Sequence, residues 1–157
     1  MFPENNILDR WLLLVALAHV AVGLLIPVWA YSPLFDFYSN LLKDTFWLSQ
    51  ELPQETKEFQ RWILALFGPT IASVGVLMFY LVKAGIKHRE PGPWNALLIV
   101  TVIWASGDIG ISLMHDFWPH VLVDAMAMLV IVPPTLILRA RAIKLQQIQH
   151  YRSKEAL

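Results

Sequence analysis

Four apolar runs constrain this chain more than any other feature: Trp11–Tyr31, Trp62–Val82, Trp94–Met114 and Trp118–Leu138. As a helix, each is long enough, at about 1.5 Å per residue, to cross a hydrocarbon core roughly 30 Å thick. The chain is 57% hydrophobic with a mean hydropathy of +0.52, which leaves too little polar surface to coat a soluble domain of 157 residues. The expected fold is therefore all-α: a four-helix transmembrane bundle, with an interfacial amphipathic helix between the first two spans. No internal repeat or second domain breaks residues 1–157, and a polar helical tail is expected over 139–157.

Residues 1–10 form a short polar lead in which only Arg10 is basic, beside Glu4 and Asp9. No small-x-small cleavage site follows, so the first run is expected to be a retained span. Trp11 stands at one end of that span and Trp29 and Tyr31 at the other, as an aromatic belt would, with Pro27 placed to kink it. Residues 32–61 are the long extramembrane segment. Its first part sets Phe, Tyr, Trp and Leu among Asp36, Asn40, Lys43 and Asp44, the pattern of a helix lying in the interface, ended by Pro53. Gly68, Ala72 and Gly75 give the second span a small face for close packing. Residues 83–93 (KAGIKHREPGP) read as a tight basic connection, and the last two spans are joined by a turn at Pro119.

Cations set the expected orientation. Arg10, Lys83, Lys87, Arg89, Arg139, Arg141 and Lys144 fall on one side. The opposite side has Lys43, Lys57 and Arg61 among acids. The positive-inside rule then predicts cytoplasmic termini, in a bacterial inner membrane or a eukaryotic endomembrane. Formal net charge is zero, and no basic run or nucleic-acid module occurs, which sets nucleic acid aside. The absence of cysteine excludes disulfides and thiol chemistry.

The chemistry concentrates in Trp104–Asp124, WASGDIGISLMHDFWPHVLVD. Trp104, Asp108, Ser112 and His115 recur at spacings of four, four and three, which puts them on one helix face. His120 and Asp124 share a face of the next helix. Asp108 lies six residues before Met114 and Asp124 six after Trp118, so both carboxylates are expected at matched depth, roughly 9 Å below the turn. Carboxyl groups placed in membrane helices cost about 2.5–3.5 kcal/mol each near the bilayer centre and usually face the bundle interior. Asp108, Asp124, His115 and His120 are the candidate acid–base residues; Trp104 and Ser112 would line the same pocket. The plainer reading has Asp108 as hydrogen-bonded glue between helices and the histidines, with Asp116, as solvated interfacial residues.

Other chemistries lack their signatures. No Glu-x-x-His pair, zinc spacing or G-x-S-x-G occurs, and no metal is expected. Gly107 and Gly110 suit close packing better than phosphate binding. His19, on a face of the first span with Ala16 and Gly23, reads either as a hydrogen-bonded core residue or as a contact for quinone or a single-axial haem. A bis-histidine haem would need a partner at its depth, and His115 and His120 lie near the opposite surface. The cofactor is therefore left open.

The fragments RWLLLVALAH, LLKDTFWLSQELP and KEFQRWILALF, with the overall layout of residues 10–140, resemble the four-helix EXPERA family, which includes the emopamil-binding sterol isomerases and the sigma-2 receptor group. The layout is equally similar to that of DoxX-like bundles. The EXPERA resemblance implies cytoplasmic termini and a hydrophobic cavity lined by acids and aromatics. Asp36 stands where that family carries an acid after its first helix; the second span here has no acid where the family has another. The expected function is binding, with isomerisation as the candidate reaction, of a lipid- or sterol-like amphiphile. The alternatives are a non-enzymatic subunit or assembly factor of a larger membrane complex, with a membrane-protein partner or a homodimer, and a haem- or quinone-binding redox subunit.

Overall fold

The computed structural model describes residues 7–48 and 50–155. Its elements are α1 (Ile7–Trp29), a 3-10 turn (Pro33–Phe35), α2 (Asp36–Phe46), α3 (Gln54–His88), α4 (Pro91–Met114) and α5 (Trp118–Glu155). The four long helices α1, α3, α4 and α5 are each apolar enough to cross a membrane, with mean hydropathies of 1.9 to 2.4 over their best windows. The protein is an integral membrane, all-α four-helix bundle, with α2 between the first two spans. Most of the polar lead, residues 1–6, lies outside the described residues, and residues 7–10 already belong to α1.

Several helix ends differ from the sequence expectation. Helix α3 runs for 35 residues and α5 for 38, well beyond the apolar runs inside them. Pro91 and Pro93 do not break the chain. Both sit in the first turn of α4, where backbone N–H groups have no intrahelical acceptor to lose. Pro119 likewise falls in the first turn of α5, so the reversal is made by His115–Phe117 alone, with Asp116 in the left-handed region at φ 55°. Helix α2 stops at Phe46, seven residues short of Pro53. The chain leaves it through Trp47 and a left-handed Leu48 (φ 48°).

Helix α1 packs chiefly on α3 and α4 on α5; contacts of α3 with α4 and of α1 with α5 complete the bundle. The α1–α3 contact is backbone-close because Gly23 meets Gly68 and Ala72, and Gly75 meets Ala16 and Val20. The small face of the second span is thus turned inward on α1. Gly107 and Gly110 differ from the expectation: nothing lies within 4 Å of a Cβ built on either, so they open outward and pack on no neighbour.

The main apolar core (Leu12, Ala16, Met78, Val82, Trp94, Leu97, Ile131 and Leu138 among its members) uses the start of α1, the end of α3, the start of α4 and the second half of α5. It therefore fills the end of the bundle away from α2. Trp11, expected as a belt residue, also ties helices together there: its indole N–H donates to the Val130 carbonyl at 2.9 Å. That carbonyl lacks its usual helical donor because Pro134, four residues on, has no N–H. At the same end, Arg139 Nε donates to Asn95 Oδ1, joining α5 to α4. With the apolar core at one end, the α2 end is left to polar and aromatic side chains.

Candidate functional site

Three helix ends meet at the α2 end. Helix α4 carries Asp108 and Ser112, α5 carries His120 and Asp124 one turn apart, and α2 lays Tyr38 and Phe46 across the turn between them. His120 Nδ1 lies 3.7 Å from Asp108 Oδ1, and His120 Nε2 lies 3.3 Å from the Tyr38 hydroxyl. In the neutral tautomer that turns Nδ1–H towards the Asp108 carboxylate, Nε2 accepts from the Tyr38 O–H. Tyr38, His120 and Asp108 thus form a chain from the α2 side to the α4 carboxylate.

Aromatic rings wall this chain. Phe117, 4% exposed, packs edge-on to Tyr38 with centroids 5.9 Å apart and to His120 at 5.4 Å. Phe46 stands 6.3 Å from Phe117 and 5.3 Å from the His115 ring. Such edge-on and tilted pairs each contribute about 0.5–1.5 kcal/mol beyond the area they bury. They hold α2 against the α4–α5 turn with few hydrogen bonds.

Asp124 is the most unusual member. It is 3% exposed, and its Oδ2 has no hydrogen-bond partner among the described residues. Asp108 and His120 are both within electrostatic reach of it. A buried polar oxygen left unmatched costs about 1–3 kcal/mol, and no described residue supplies its partner.

The sequence-expected residues separate into those the fold gathers and those it does not. Asp108, His120 and Asp124 come together across α4 and α5. Ser112 is buried, and its carbonyl accepts the N–H groups of His115 (3.3 Å) and Phe117 (2.9 Å), which shapes the turn. Trp104 is 42% exposed and His115 is exposed, so the single face read from their spacing fans from the interior to the outside of α4. The His115 ring packs on Phe46. His19 is not brought to this cluster; its Nδ1–H donates to the Val15 carbonyl at 2.8 Å within α1. Asp36, exposed on α2, stands 3.9 Å from Arg61 Nη2 beside the cluster. Among the described residues, no three His, Asp or Glu side chains converge as a metal ion would require.

Tyr38, Phe46 and Phe117 were not singled out in the sequence. Their signal was the aromatic richness of the loop, but nothing local says which ring faces α5. Burial, and then the negative charge of Asp108, push the Tyr38 hydroxyl up to about 12. It therefore stays an O–H donor throughout the physiological range. Because its folded value lies above the ordinary value of 10.0, the stabilisation is complete below pH 10 and is lost as pH rises from about 10 to about 12. Thermal melting of wild type and Tyr38→Phe across pH 8 to 12 should show a steeper alkaline loss in wild type. Parallel curves would place Tyr38 in an ordinary solvated setting.

No family model, curated protein or solved structure matches this chain.

Proposed function

We propose that this protein binds a hydrophobic, lipid- or sterol-like amphiphile at the α2 end of the bundle and carries out acid–base chemistry on it. The observation that carries this reading is the unmatched Asp124 Oδ2, buried beside the Tyr38–His120–Asp108 chain. A ligand with a donor group in its polar head would satisfy that oxygen, and its apolar body would lie along the helices. The reaction such a site suits is double-bond isomerisation. One group gives a proton to an alkene carbon, a second removes one from the allylic carbon, and the substrate keeps its composition. Asp108 and His120 are the acid–base pair for that exchange, one giving the proton and the other taking one from the allylic carbon, while Tyr38 keeps His120 oriented and Asp124 holds the donor of the polar head. By the distribution of cations, the site opens to the outer face and both termini are cytoplasmic.

The test is native mass spectrometry, with a visible spectrum, on protein gently extracted from its own membrane. The expected result is a co-purifying small hydrophobic molecule that Asp108→Asn releases while circular dichroism stays unchanged. Retention of that molecule by Asp108→Asn would sink the proposal. A Soret band would instead favour the redox reading and make His19 the first residue to change, since its Nδ1 is already engaged and Nε2 is the nitrogen left to ligate.

A second reading, a subunit of a larger membrane complex, is favoured by one observation. Ser106, Gly107 and Gly110 form an exposed small patch on α4, and a Cβ on either glycine would meet nothing within 4 Å. A partner helix could approach closely there. The other small face, Gly68 with Ala72, is occupied by α1 and is not open to a partner. A stoichiometric protein partner, lost from Gly110→Leu, would decide for this reading.

A further inference from the structure

Beside Tyr38, a small cleft opens between α2 and the start of α3. Tyr38, Ser39 and Asp36 line it from α2, and Gln60, Arg61 and Leu64 from α3. Its volume is about 20 Å³, enough for one water-sized group. Ser39 donates its hydroxyl to Gln60 Oε1 at 2.9 Å, and Gln60 Nε2 is buried with no acceptor among the described residues. Arg61 brings a guanidinium to the same cleft. Its contact with Asp36 is loose, 3.9 Å to a carboxylate that is 64% exposed. A guanidinium carries five N–H donors, and one long contact to an exposed acid occupies little of that capacity.

The depth of the cleft says what could enter it. Trp62 begins the apolar run of α3, so Arg61 and Gln60 stand one and two residues outside it, at the level of lipid headgroups. A buried amide donor, a partly engaged guanidinium and a void the size of one oxygen are complementary to an oxygen of an anion. The Asp108–Asp124 cluster has the reverse demand, an acceptor without a donor.

We propose that this cleft is a binding subsite for an oxyanion, a phosphate- or carboxylate-bearing group that inserts one oxygen between Gln60 Nε2 and Arg61. Asp36 is its internal competitor, holding the guanidinium loosely when the subsite is empty. This inference does not rest on acid–base chemistry at Asp108 and Asp124, and it stands whether or not that reading holds.

The experiment measures binding of phosphatidylglycerol to the full-length protein in detergent by native mass spectrometry. Diacylglycerol with the same tails and inorganic phosphate serve as separate probes. Phosphatidylglycerol should bind at least about tenfold more tightly than diacylglycerol, the discrimination expected of charge-assisted hydrogen bonds. Gln60→Glu keeps the side-chain size but replaces the donor with an acceptor, and it should remove that preference. Arg61→Gln should weaken it about tenfold. Asp36→Asn should tighten binding, a gain that a merely structural role for Arg61 would not produce. Competition by inorganic phosphate alone would support the subsite and identify a free anion as a sufficient ligand; lipid binding without such competition would assign it to headgroups. Equal affinity for diacylglycerol, or folded Gln60→Glu and Arg61→Gln proteins that bind phosphatidylglycerol like wild type, would overturn the proposal and leave the cleft to a single water.

Discussion

Asp124→Leu is expected to make the protein more stable and empty. A carboxyl that is 3% exposed with one oxygen unmatched is a net cost to the folded bundle. Replacing it with an apolar side chain of similar length removes the unmatched acceptor, a gain of about 1–3 kcal/mol. For a chain of this size that corresponds to a rise in melting temperature of roughly 2–12 °C in detergent. The same change removes the group that a bound molecule would satisfy, so a co-purifying ligand should disappear. Stability and binding would move in opposite directions. If Asp124 instead serves to hold helices together, the leucine variant should melt lower, and the ligand-site reading would lose its main support.

A single methyl group at Gly23 should do more damage than most changes elsewhere in the spans. A Cβ there would lie 2.6 Å from the Gly68 carbonyl oxygen and 2.8 Å from the Ala72 Cα, both backbone atoms that cannot rotate aside. Helices α1 and α3 would have to separate along the most extensive interface in the bundle. Overpacking of this kind costs about 1–3 kcal/mol, against a helix-propensity gain of about 1 kcal/mol for alanine over glycine. Gly107→Ala is the matched control, because its Cβ enters open space and only the propensity gain applies. Melting should therefore fall for Gly23→Ala and hold or rise for Gly107→Ala. Equal shifts would mean that α1 and α3 are not in backbone contact.

The two carboxylates show how far the candidate site was legible. Asp108 and Asp124 stand out in any reading, because ionisable groups are rare in apolar helices and a short turn makes their helices antiparallel neighbours. The contact between Asp108 and His120 follows from that register. Tyr38 could not be reached in the same way. It lies 82 residues from His120 in sequence, in a loop where several rings were equally eligible. Gln60 was equally silent: its unmatched amide exists only because Ser39, on a different helix, takes the other end of it. Glycine shows the same limit from the other side. Gly68 and Gly107 look alike as small residues in apolar helices, yet one touches the neighbouring backbone and the other touches nothing.

By itself the sequence determined the fold class, the number of spans and the presence of a polar corner between the last two. Each of these follows from local quantities: apolar run length against membrane thickness, and the cost of an ionisable group in an apolar helix. Tertiary structure decided which helix faces meet, that prolines at residues 91, 93 and 119 begin helices instead of breaking them, and that α2 closes over His120. Among the described residues it also left Asp124 Oδ2 on α5 and Gln60 Nε2 on α3 without partners. Those outcomes depend on contacts between residues far apart in the chain, and in lipid such contacts are set by close packing and hydrogen bonding more than by hydrophobicity. Hydropathy, the strongest signal in this sequence, carries little information about them.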